Sequence, residues 1–390
     1  MANTLKFGNG QWATGNGTAL AYNDENSNFK PLPFNFTRAS SGTTVNQSGL
    51  IETVGSGIPR IDFQGNTKGA LLLEPSRTNV ITYSEDYSQS AWIKNSTGTG
   101  TNPTLDFGYT SPDGSLNATK IIFNIGAGSS AADLSLLKTA ITTIDGVATI
   151  YLKGDTGGED ISFLAGNTRQ NIILTNSWKR YTLSNASLFQ LTLRLRGDQN
   201  TNNSCTIYVW GAQAEAGSYA TSYIPTSGSA VTRVADVCSN GGNDQSISSE
   251  QGCFYFEGNV FKGDDTVNII SITDASVNNY IYLNFQTNTN QEKVRYTVSG
   301  STQINYNFPS SETMYANSKY AISYKTNEIK VYRNGVEIIT DTNAVMLSPN
   351  TLNKIQFSFN NTNYFKGYIK DLKLYNTALT DNELAALTQV

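Results

Sequence analysis

The chain has 390 residues, of which 15% are charged and 38% hydrophobic, and its formal net charge is −4. Its 17 Phe, 21 Tyr and 4 Trp provide enough apolar surface for a core, so the composition is not that of a disordered chain. No stretch is rich in Lys or Arg, which argues against nucleic acid as the main partner because such binding depends on neutralising phosphates. No run of 18 apolar residues is present, so we expect no insertion into a membrane.

The sequence contains no histidine. This absence excludes Ser-His-Asp and Cys-His nucleophilic sites and zinc sites that use histidine. An enzyme would have to act with carboxylates alone, as many glycosidases do. The adjacent carboxylates at 159–160 and 264–265 would point to opposite faces of a strand, so neither predicts a convergent pair. We therefore predict no catalytic residues.

Cysteines and possible metal ligands are few. Cys205, Cys238 and Cys253 are scattered without metal-ligand spacing and predict buried thiols in a protein that folds in a reducing cytosol. The N-terminal segment has neither the basic nor the apolar region of a secretory signal. The motifs at 113–115 and 263–265 offer oxygen ligands without the spacing of an EF-hand. We expect no cofactor, and the sequence neither requires nor excludes a structural calcium ion.

Short runs rich in Val, Ile, Tyr, Phe and Thr recur along the chain, bounded by Gly, Asn, Asp or Pro. This pattern predicts an all-β protein built from antiparallel sandwiches. The strands predicted for a first sandwich are 115–125, 146–154, 161–166, 170–175, 179–184, 188–197 and 205–217. A weakly patterned Ser/Gly/Asn-rich segment then places a boundary near 236–250, after which a second all-β unit begins.

The pair Asn334-Gly335 suits a two-residue type I′ turn and predicts a β-hairpin. The cross-strand pairs that follow from this turn are Arg333–Val336, Tyr332–Glu337 and Val331–Ile338. We expect one buried face that consists of Ile329, Val331, Val336 and Ile338.

The last residues predict the only clear helix. Thr380 and Glu383 form a capping box at its start, and Leu384 and Leu387 form a short apolar stripe. We expect this helix to close one end of the second sandwich.

Isolated apolar residues are spaced along the Gly/Asn-rich first 35 residues. Such a segment cannot form a core of its own, so it either packs on the following module or becomes ordered against a partner. The candidates for docking to a partner are Leu5, Phe7, Trp12 and Phe29.

Aromatic residues fall into two groups. Those in strand-like runs are expected in the core, namely Trp92, Trp178, Trp210 and Tyr181. Tyrosines in loops are better placed to stack on sugar rings. The candidates for carbohydrate binding are Tyr109, Tyr280, Tyr306 and Tyr315.

Three arginines stand among otherwise neutral residues near the start of the chain. Arg38, Arg60 and Arg77 are suited to bidentate pairing with a carboxylate. The candidate partners are Glu52, Asp62 and Glu74. Such pairs would give this part of the chain a fixed geometry.

The same part of the chain carries a specific resemblance. "FTRASSGTTVNQSGLIETVGSGIPRIDF" (36–63), followed by "GALLLEPSRTNVITYSEDYSQSAWIK" (69–94), resembles a module of bacteriophage structural proteins. It is most similar to head-fibre and tail-fibre proteins of crAss-like phages that infect Bacteroides. Downstream, "WKRYTLS" and "VWGAQAEAGSYATSYIPTSGSAVTRVAD" resemble a jelly roll of the carbohydrate-binding-module type. The closing "FKGYIKDLKLYNTALTDNELAALT" is similar to the last strands of concanavalin A-like, laminin-G-type lectin sandwiches.

The resemblance implies a division of the chain into five segments. They are a virion-anchoring segment (1–35), an adaptor cassette (36–80), a carbohydrate-binding-module-like jelly roll (81–236), a linker (237–250) and a concanavalin A-like lectin sandwich (251–390).

The resemblance also implies a function. We expect a non-enzymatic fibre or spike, assembled in the host cytoplasm as a homotrimer and exposed on the virion. Its N-terminus would attach to capsid or tail proteins, and its sandwiches would bind host-surface or mucus glycans through weak contacts multiplied by avidity. The alternatives are a capsid decoration protein that binds no sugar, or a glycan-degrading enzyme that uses carboxylates.

Overall fold

Strands make up 54% of the chain and helix 3%, so the prediction of an all-β protein is confirmed. The structure is a computed structural model that describes residues 4–23, 30–263 and 267–390. Within those ranges, no helix has both the length and the apolar character needed to cross a membrane.

The elements are numbered in chain order. The first fifteen strands are β1 (Leu5–Gly8), β2 (Thr14–Gly15), β3 (Thr18–Asn23), β4 (Lys30–Thr37), β5 (Gly42–Val45), β6 (Ile51–Val54), β7 (Arg60–Asp62), β8 (Ala70–Leu73), β9 (Arg77–Asn79), β10 (Trp92–Thr97), β11 (Thr101–Tyr109), β12 (Ala118–Asn124), β13 (Leu134–Gly154), β14 (Asp160–Ala165) and β15 (Thr168–Ile173).

The remaining elements are β16 (Lys179–Arg196), β17 (Ser204–Ala216), β18 (Val231–Arg233), β19 (Val237–Ser239), β20 (Gly252–Val260), β21 (Val267–Thr273), β22 (Tyr280–Gln286), β23 (Gln291–Val298), β24 (Ser301–Asn307), a 3₁₀ turn (Thr313–Tyr315), β25 (Ser318–Lys325), β26 (Glu328–Arg333), β27 (Val336–Asp341), β28 (Lys354–Gln356), β29 (Gly367–Tyr375) and α1 (Asp381–Thr388).

The chain forms two compact units. Unit 1 comprises Met1–Gly49, Val54–Pro75 and Val234–Val390, and unit 2 comprises Leu50–Thr53 and Ser76–Arg233. This division differs from the predicted five segments. The anchoring segment, most of the adaptor cassette and the linker all belong to unit 1, because their strands pair with strands far away in the sequence.

Unit 1 consists of two sheets around one core. The larger sheet has the order β19-β4-β3-β1-β29-β20-β25-β26-β27, and β7 and β8 extend it by pairing β8 with β29. The smaller sheet has the order β24-β23-β22-β21-β28. Apolar side chains from both sheets form a single cluster that includes Phe34, Phe256, Phe285 and Leu372. The predicted linker is part of this unit, since β19 pairs with β4 and Ile247 is buried.

The first residues of the chain lie inside unit 1. Strand β1 pairs antiparallel with β29, and its Leu5 and Phe7 are 0% and 1% exposed in the core. Trp12 packs edge-on against Phe7, and its Nε1 donates to the carbonyl of Lys68 at 2.8 Å. Phe29 lies outside the described residues. The segment therefore packs on its own chain, and Leu5 and Phe7 are not available to a partner in this fold.

This placement gives a first prediction. Phe7→Ala should lower the free energy of unfolding of unit 1 by about 3–5 kcal/mol, because it removes a large side chain from a filled core. Lys6→Ala, on the same strand but partly exposed, should cost at most about 0.5 kcal/mol. Hydrogen exchange of the β29 amides measures both values. Equal, small effects would show that β1 is not part of the core.

A buried network of charges joins four separate parts of unit 1. Arg38 pairs with Asp236 at 3.1 Å, Arg60 also pairs with Asp236, and Arg60 pairs with Glu74 at 2.7 Å. The backbone N–H of Glu74 donates to Asp236 at 2.9 Å. All four side chains are at most 3% exposed. Of the candidate carboxylates, Glu74 does pair with one of the three arginines, Arg60, whereas the central carboxylate, Asp236, was not predicted.

Another candidate carboxylate, Asp62, and the third arginine, Arg77, make other contacts. Asp62 accepts hydrogen bonds from the backbone N–H groups of Val45 and Gln64 at 3.0 and 2.9 Å. Its carboxylate therefore stabilises the local backbone. Arg77 lies over the ring of Tyr219, with 5.4 Å between its guanidinium carbon and the ring centroid. The cassette thus uses two of its three arginines in the buried network.

The network gives a second prediction. Asp236→Asn should lower the free energy of unfolding of unit 1 by about 3–5 kcal/mol, because it leaves buried arginine charge uncompensated. Asp244→Asn is a matched control at an exposed position of the same unit and should change little. Urea denaturation combined with hydrogen exchange of β8 separates the outcomes. A loss below about 1 kcal/mol would contradict a central role for Asp236.

Unit 2 is built on one sheet that carries long strands. Its order is β11-β12-β17-β13-β16-β14-β15, with β10 paired to β13. The predicted strands 179–184 and 188–197 form the single strand β16, and 146–154 is the second half of β13. The register of these two strands shifts between Ala140 and Gly146, so the ladder continues past an irregular stretch that breaks the sequence pattern. Their inner faces form the core of the unit.

The hairpin of β26 and β27 forms as predicted at its turn and differs further along. Asn334 and Gly335 have φ values of 50° and 82°, as a type I′ turn requires. Tyr332 pairs with Glu337 as predicted, but a register shift after Val331 pairs that residue with Ile339 instead of Ile338. The list of expected buried residues is therefore partly wrong, since Val336 is 62% exposed.

Helix α1 begins at the predicted capping box. The backbone N–H and the hydroxyl of Thr380 donate to Glu383 at 2.8 and 2.7 Å. Leu384 is buried among Ala321 and Tyr332, while Leu387 is partly exposed. The helix thus covers the outward face of strands β25 and β26 and does not close an end of the sandwich.

The three cysteines are free and buried, as predicted. Burial raises the pKa of the Cys205 thiol to about 12. Burial also raises the pKa values of Cys238 and Cys253. All three thiols are therefore protonated and unreactive at neutral pH.

Candidate functional site

A row of polar and aromatic side chains crosses four strands of unit 2. Asp106 on β11 pairs with Lys120 on β12, Lys120 pairs with Tyr208 on β17, and Tyr208 pairs with Lys153 on β13. Adjacent residues on the four strands pack in or against the core, so these four side chains point outward; those core residues are Leu105, Ile121, Leu152, Ile207 and Val209. We call the following residues the aromatic row: Asp106, Tyr109, Lys120, Lys153, Trp178 and Tyr208.

The rings of the row lie close together. The centroids of Tyr109 and Tyr208 are 5.0 Å apart, and the ring planes meet at 64°. Lys120 Nζ lies 5.9 Å from each of these two rings. Lys153 Nζ lies 4.5 Å from Tyr208 and 5.6 Å from Trp178, so it bridges the two aromatic side chains. These distances are those of cation–π contacts, which hold ammonium groups at ring faces.

Hydrogen bonds fix the orientation of each ring. Tyr109 OH donates to Asp106 at 2.6 Å, and Tyr208 OH donates to Asp155 at 2.8 Å. Trp178 Nε1 donates to the carbonyl of Thr110 at 3.2 Å. The hydrogen bond to Asp106 raises the pKa of Tyr109.

Partial burial, together with the hydrogen bond to Asp155, raises the pKa of Tyr208 to about 12. Tyr109 and Tyr208 are therefore neutral phenols at physiological pH. Both rings and Trp178 remain partly exposed. The row thus presents apolar ring surface beside fixed carboxylates and ammonium groups.

The other tyrosines predicted to bind carbohydrate lie in unit 1 and do not join the row. Tyr280 is only 4% exposed, because it stacks on Tyr282 at 5.2 Å and contacts the edge of Phe359 at 4.6 Å. Tyr306 packs on the core beside Phe308. Tyr280 is therefore buried, whereas Tyr306 is partly exposed outside the row.

Tyr315 is also used within unit 1. Its hydroxyl lies within hydrogen-bond distance of the carbonyl of Thr287 (3.0 Å) and of Asn290 Oδ1 (2.7 Å). Lys262 Nζ lies 5.3 Å from its ring centroid and pairs with Glu312. The side chain therefore ties loops together while keeping partial exposure.

The expectation that four aromatic residues are core residues holds for two of them. Trp92 and Trp210 are 4% and 1% exposed. Tyr181 is partly exposed at the margin of the core. Trp178 is in the aromatic row, so for this residue the prediction was wrong. Its position between two polar loop segments, rather than in an apolar run, was the signal that could have placed it outside.

Tyr208 was not predicted as a binding residue, although the sequence contains the signal. It alternates with Ile207 and Val209, which are both fully buried. Because side chains alternate across a strand, Tyr208 must face outward. The other members of the row lie on other strands or loops. Their closeness to Tyr208 depends on the strand register, which the sequence does not show.

Metal ligands are sparse in the part of the chain that the structure describes. No group of three or more His, Cys, Asp or Glu there could hold a metal ion. Asp113 accepts hydrogen bonds from the backbone N–H and hydroxyl of Ser115 at 2.9 and 2.7 Å, so it holds its own turn. Asp264 and Asp265 lie outside the described residues.

Solved structures show weak likeness to the chain. The carbohydrate-binding module CBM40 of the Ruminococcus gnavus IT-sialidase, bound to α2,3-sialyllactose, is 16% identical with a TM-score of 0.32, and the match covers 39% of this chain and 94% of that one. Domain 4 of the arabinanase AbnA from Geobacillus stearothermophilus, in complex with arabinotriose, is 19% identical with a TM-score of 0.31, covering 44% and 82%.

A heptameric SAP-like pentraxin from Limulus polyphemus is 13% identical with a TM-score of 0.29, covering 35% of this chain and 69% of that one. Because these TM-scores are below 0.5, we base no inference on them. No curated protein matches the sequence. Residues 253–385 match the model of the concanavalin A-like lectin/glucanases superfamily. The C-terminal part of unit 1 is therefore similar to a superfamily of lectins and glucanases.

Proposed function

We propose that the protein binds glycans without altering them, and that the aromatic row of unit 2 is its binding surface. The observation that carries this proposal is a group of three partly exposed rings, Tyr109, Tyr208 and Trp178. Hydrogen bonds hold each ring in place, and two carboxylates and two lysines lie beside them. The match of residues 253–385 to a superfamily that includes lectins supports the same class of function for unit 1.

The chemistry of the row suits a sugar. The C–H face of a pyranose packs on an aromatic ring, and its hydroxyl groups need donors and acceptors at the ring edge. Tyr208 and Trp178 offer ring surface, while Asp106 and Asp155 accept hydrogen bonds and Lys153 donates them. These groups are held in place before a ligand arrives, so little side-chain entropy is lost on binding.

We further propose that this binding serves adhesion by a virion fibre or spike. The resemblance of residues 36–63 and 69–94 to fibre proteins of crAss-like phages supports this setting. Several copies on one particle, for example as homotrimers, would convert weak single-site binding into strong attachment. Because Leu5 and Phe7 are buried, attachment to capsid or tail proteins would use another surface of unit 1.

The decoration-protein alternative predicts no sugar binding at all. The enzymatic alternative requires two convergent carboxylates. Glu257 and Asp371 lie directly opposite each other on β20 and β29. However, Glu257 accepts hydrogen bonds from Tyr255 and Asn317 at 3.0 and 2.8 Å, and Asp371 pairs with Lys373 at 2.6 Å. Because both carboxylates are engaged by other side chains of the protein, we favour binding over hydrolysis. Release of reducing ends from a bound glycan would favour the enzyme.

The proposal predicts the effect of removing the rings. Trp178→Ala and Tyr208→Ala should each weaken binding of a glycan selected on an array by about tenfold, ~1.4 kcal/mol, because each removes stacking surface. Phe107→Ala is a matched control, since this ring is 51% exposed on β11 but outside the row. Surface plasmon resonance on immobilised glycan measures the three variants.

If all three variants bind like the unaltered protein, the row is not the binding surface. If the array shows no binding of the full chain at any density, the decoration-protein alternative is the better account. Loss of binding by Phe107→Ala alone would place the site on the other side of β11.

A further inference from the structure

A second polar surface lies in unit 1, on the outward face of its larger sheet. Here a cleft of about 410 Å³ opens beside α1. This volume is within the range of pockets that hold small ligands. The charged residues that line it are Lys68, Glu257, Lys319, Lys370, Asp371 and Lys373.

The register of the strands builds the floor of the cleft. Asp371 on β29 pairs with Glu257 on β20, and Glu257 pairs with Lys319 on β25. Residues directly opposite on neighbouring strands lie side by side on one face. The central carboxylates are thus flanked by lysines from the same sheet.

Asp371 has an oxygen that the protein does not use. Its side chain is 5% exposed, and one oxygen pairs with Lys373 Nζ at 2.6 Å. The other oxygen, Oδ1, is buried without a hydrogen-bond partner among the described residues. Buried acceptors are almost always satisfied, so this oxygen beside the cleft has room in its hydrogen bonding for a donor from water or from a bound ligand. Burial raises the pKa of Asp371, and Lys373 opposes that rise.

The cleft carries an excess of positive charge. Four lysines against two carboxylates leave a net charge of +2. Lys68 Nζ donates to Asn9 Oδ1 at 2.7 Å, and Lys319 Nζ donates to the carbonyl of Gln389 at 2.7 Å. Both acceptors are neutral, so these contacts do not compensate the lysine charges. Lys370 makes no ion pair within the described part of the chain. The lysines therefore attract an anion that the protein itself does not supply.

We propose that this cleft binds a saccharide that carries a carboxylate, such as a hexuronic acid unit. A sugar hydroxyl would donate to Asp371 Oδ1, and the sugar carboxylate would accept from Lys370 and its neighbours. A simple anion has no donor for Asp371, and a neutral sugar leaves the lysine charge uncompensated. This inference rests on the proposed glycan binding, but it concerns a different site and a different ligand class.

A ligand-observed NMR titration of the full chain with digalacturonate tests the inference, with lactose as the neutral comparison. Lys370→Ala should weaken digalacturonate binding about tenfold, because a charge-assisted hydrogen bond is lost. Lys370→Arg should retain most of the affinity, and Lys354→Ala, a lysine of the same unit outside the cleft, should retain all of it. Asp371→Asn should also weaken binding, since the amide is a poorer acceptor.

Equal affinity of Lys370→Ala and the unaltered protein would overturn the inference. Complete displacement of digalacturonate by an equal concentration of inorganic sulfate would also overturn it, because the site would then recognise charge alone. Trp178→Ala separates the two proposals, since it should leave digalacturonate binding unchanged. If digalacturonate does not bind while a neutral glycan still binds through Trp178, only this inference fails.

Discussion

The buried carboxylate of Asp236 is the interaction on which unit 1 depends. It compensates Arg38 and Arg60 and accepts from the backbone at Glu74, so it joins the start of the chain to residues more than 150 positions later. Removing such charges from water is costly, and the cost is offset only when every partner is in place. The network therefore ties together the four parts of unit 1 that carry Arg38, Arg60, Glu74 and Asp236.

Both proposed binding surfaces follow from the same property of antiparallel sheets. Inward residues supply the core, and outward residues on neighbouring strands line up in rows. In unit 2 such a row places Tyr208 beside two lysines, and in unit 1 another places Asp371 beside Glu257. The first surface combines ring faces with fixed polar groups, and the second is polar with excess positive charge. The two proposed surfaces would therefore suit sugars of different charge.

Features that depend on neighbouring residues were predictable from the sequence. The all-β class, the turn at Asn334-Gly335 and the capping box at Thr380 each depend on neighbouring residues, and each is present in the structure. Long-range pairing was not predictable, because nothing near Leu5 indicates that its strand pairs with β29. The register shift after Val331 was not predictable either, because a bulge depends on the packing of the strand and not on the residues of the turn. The aromatic row was found only in part, through Tyr109, because its members come from separate strands.

The central claim is that glycans bind at the aromatic row, and the four tryptophans allow a direct test. In protein with ¹⁵N-labelled tryptophan, each indole N–H gives one resonance, and titration with a glycan selected on an array should move the Trp178 resonance. The resonances of Trp92 and Trp210, which are buried, should stay in place. If the glycan binds and Trp178 does not respond, the binding surface lies elsewhere and the account is wrong.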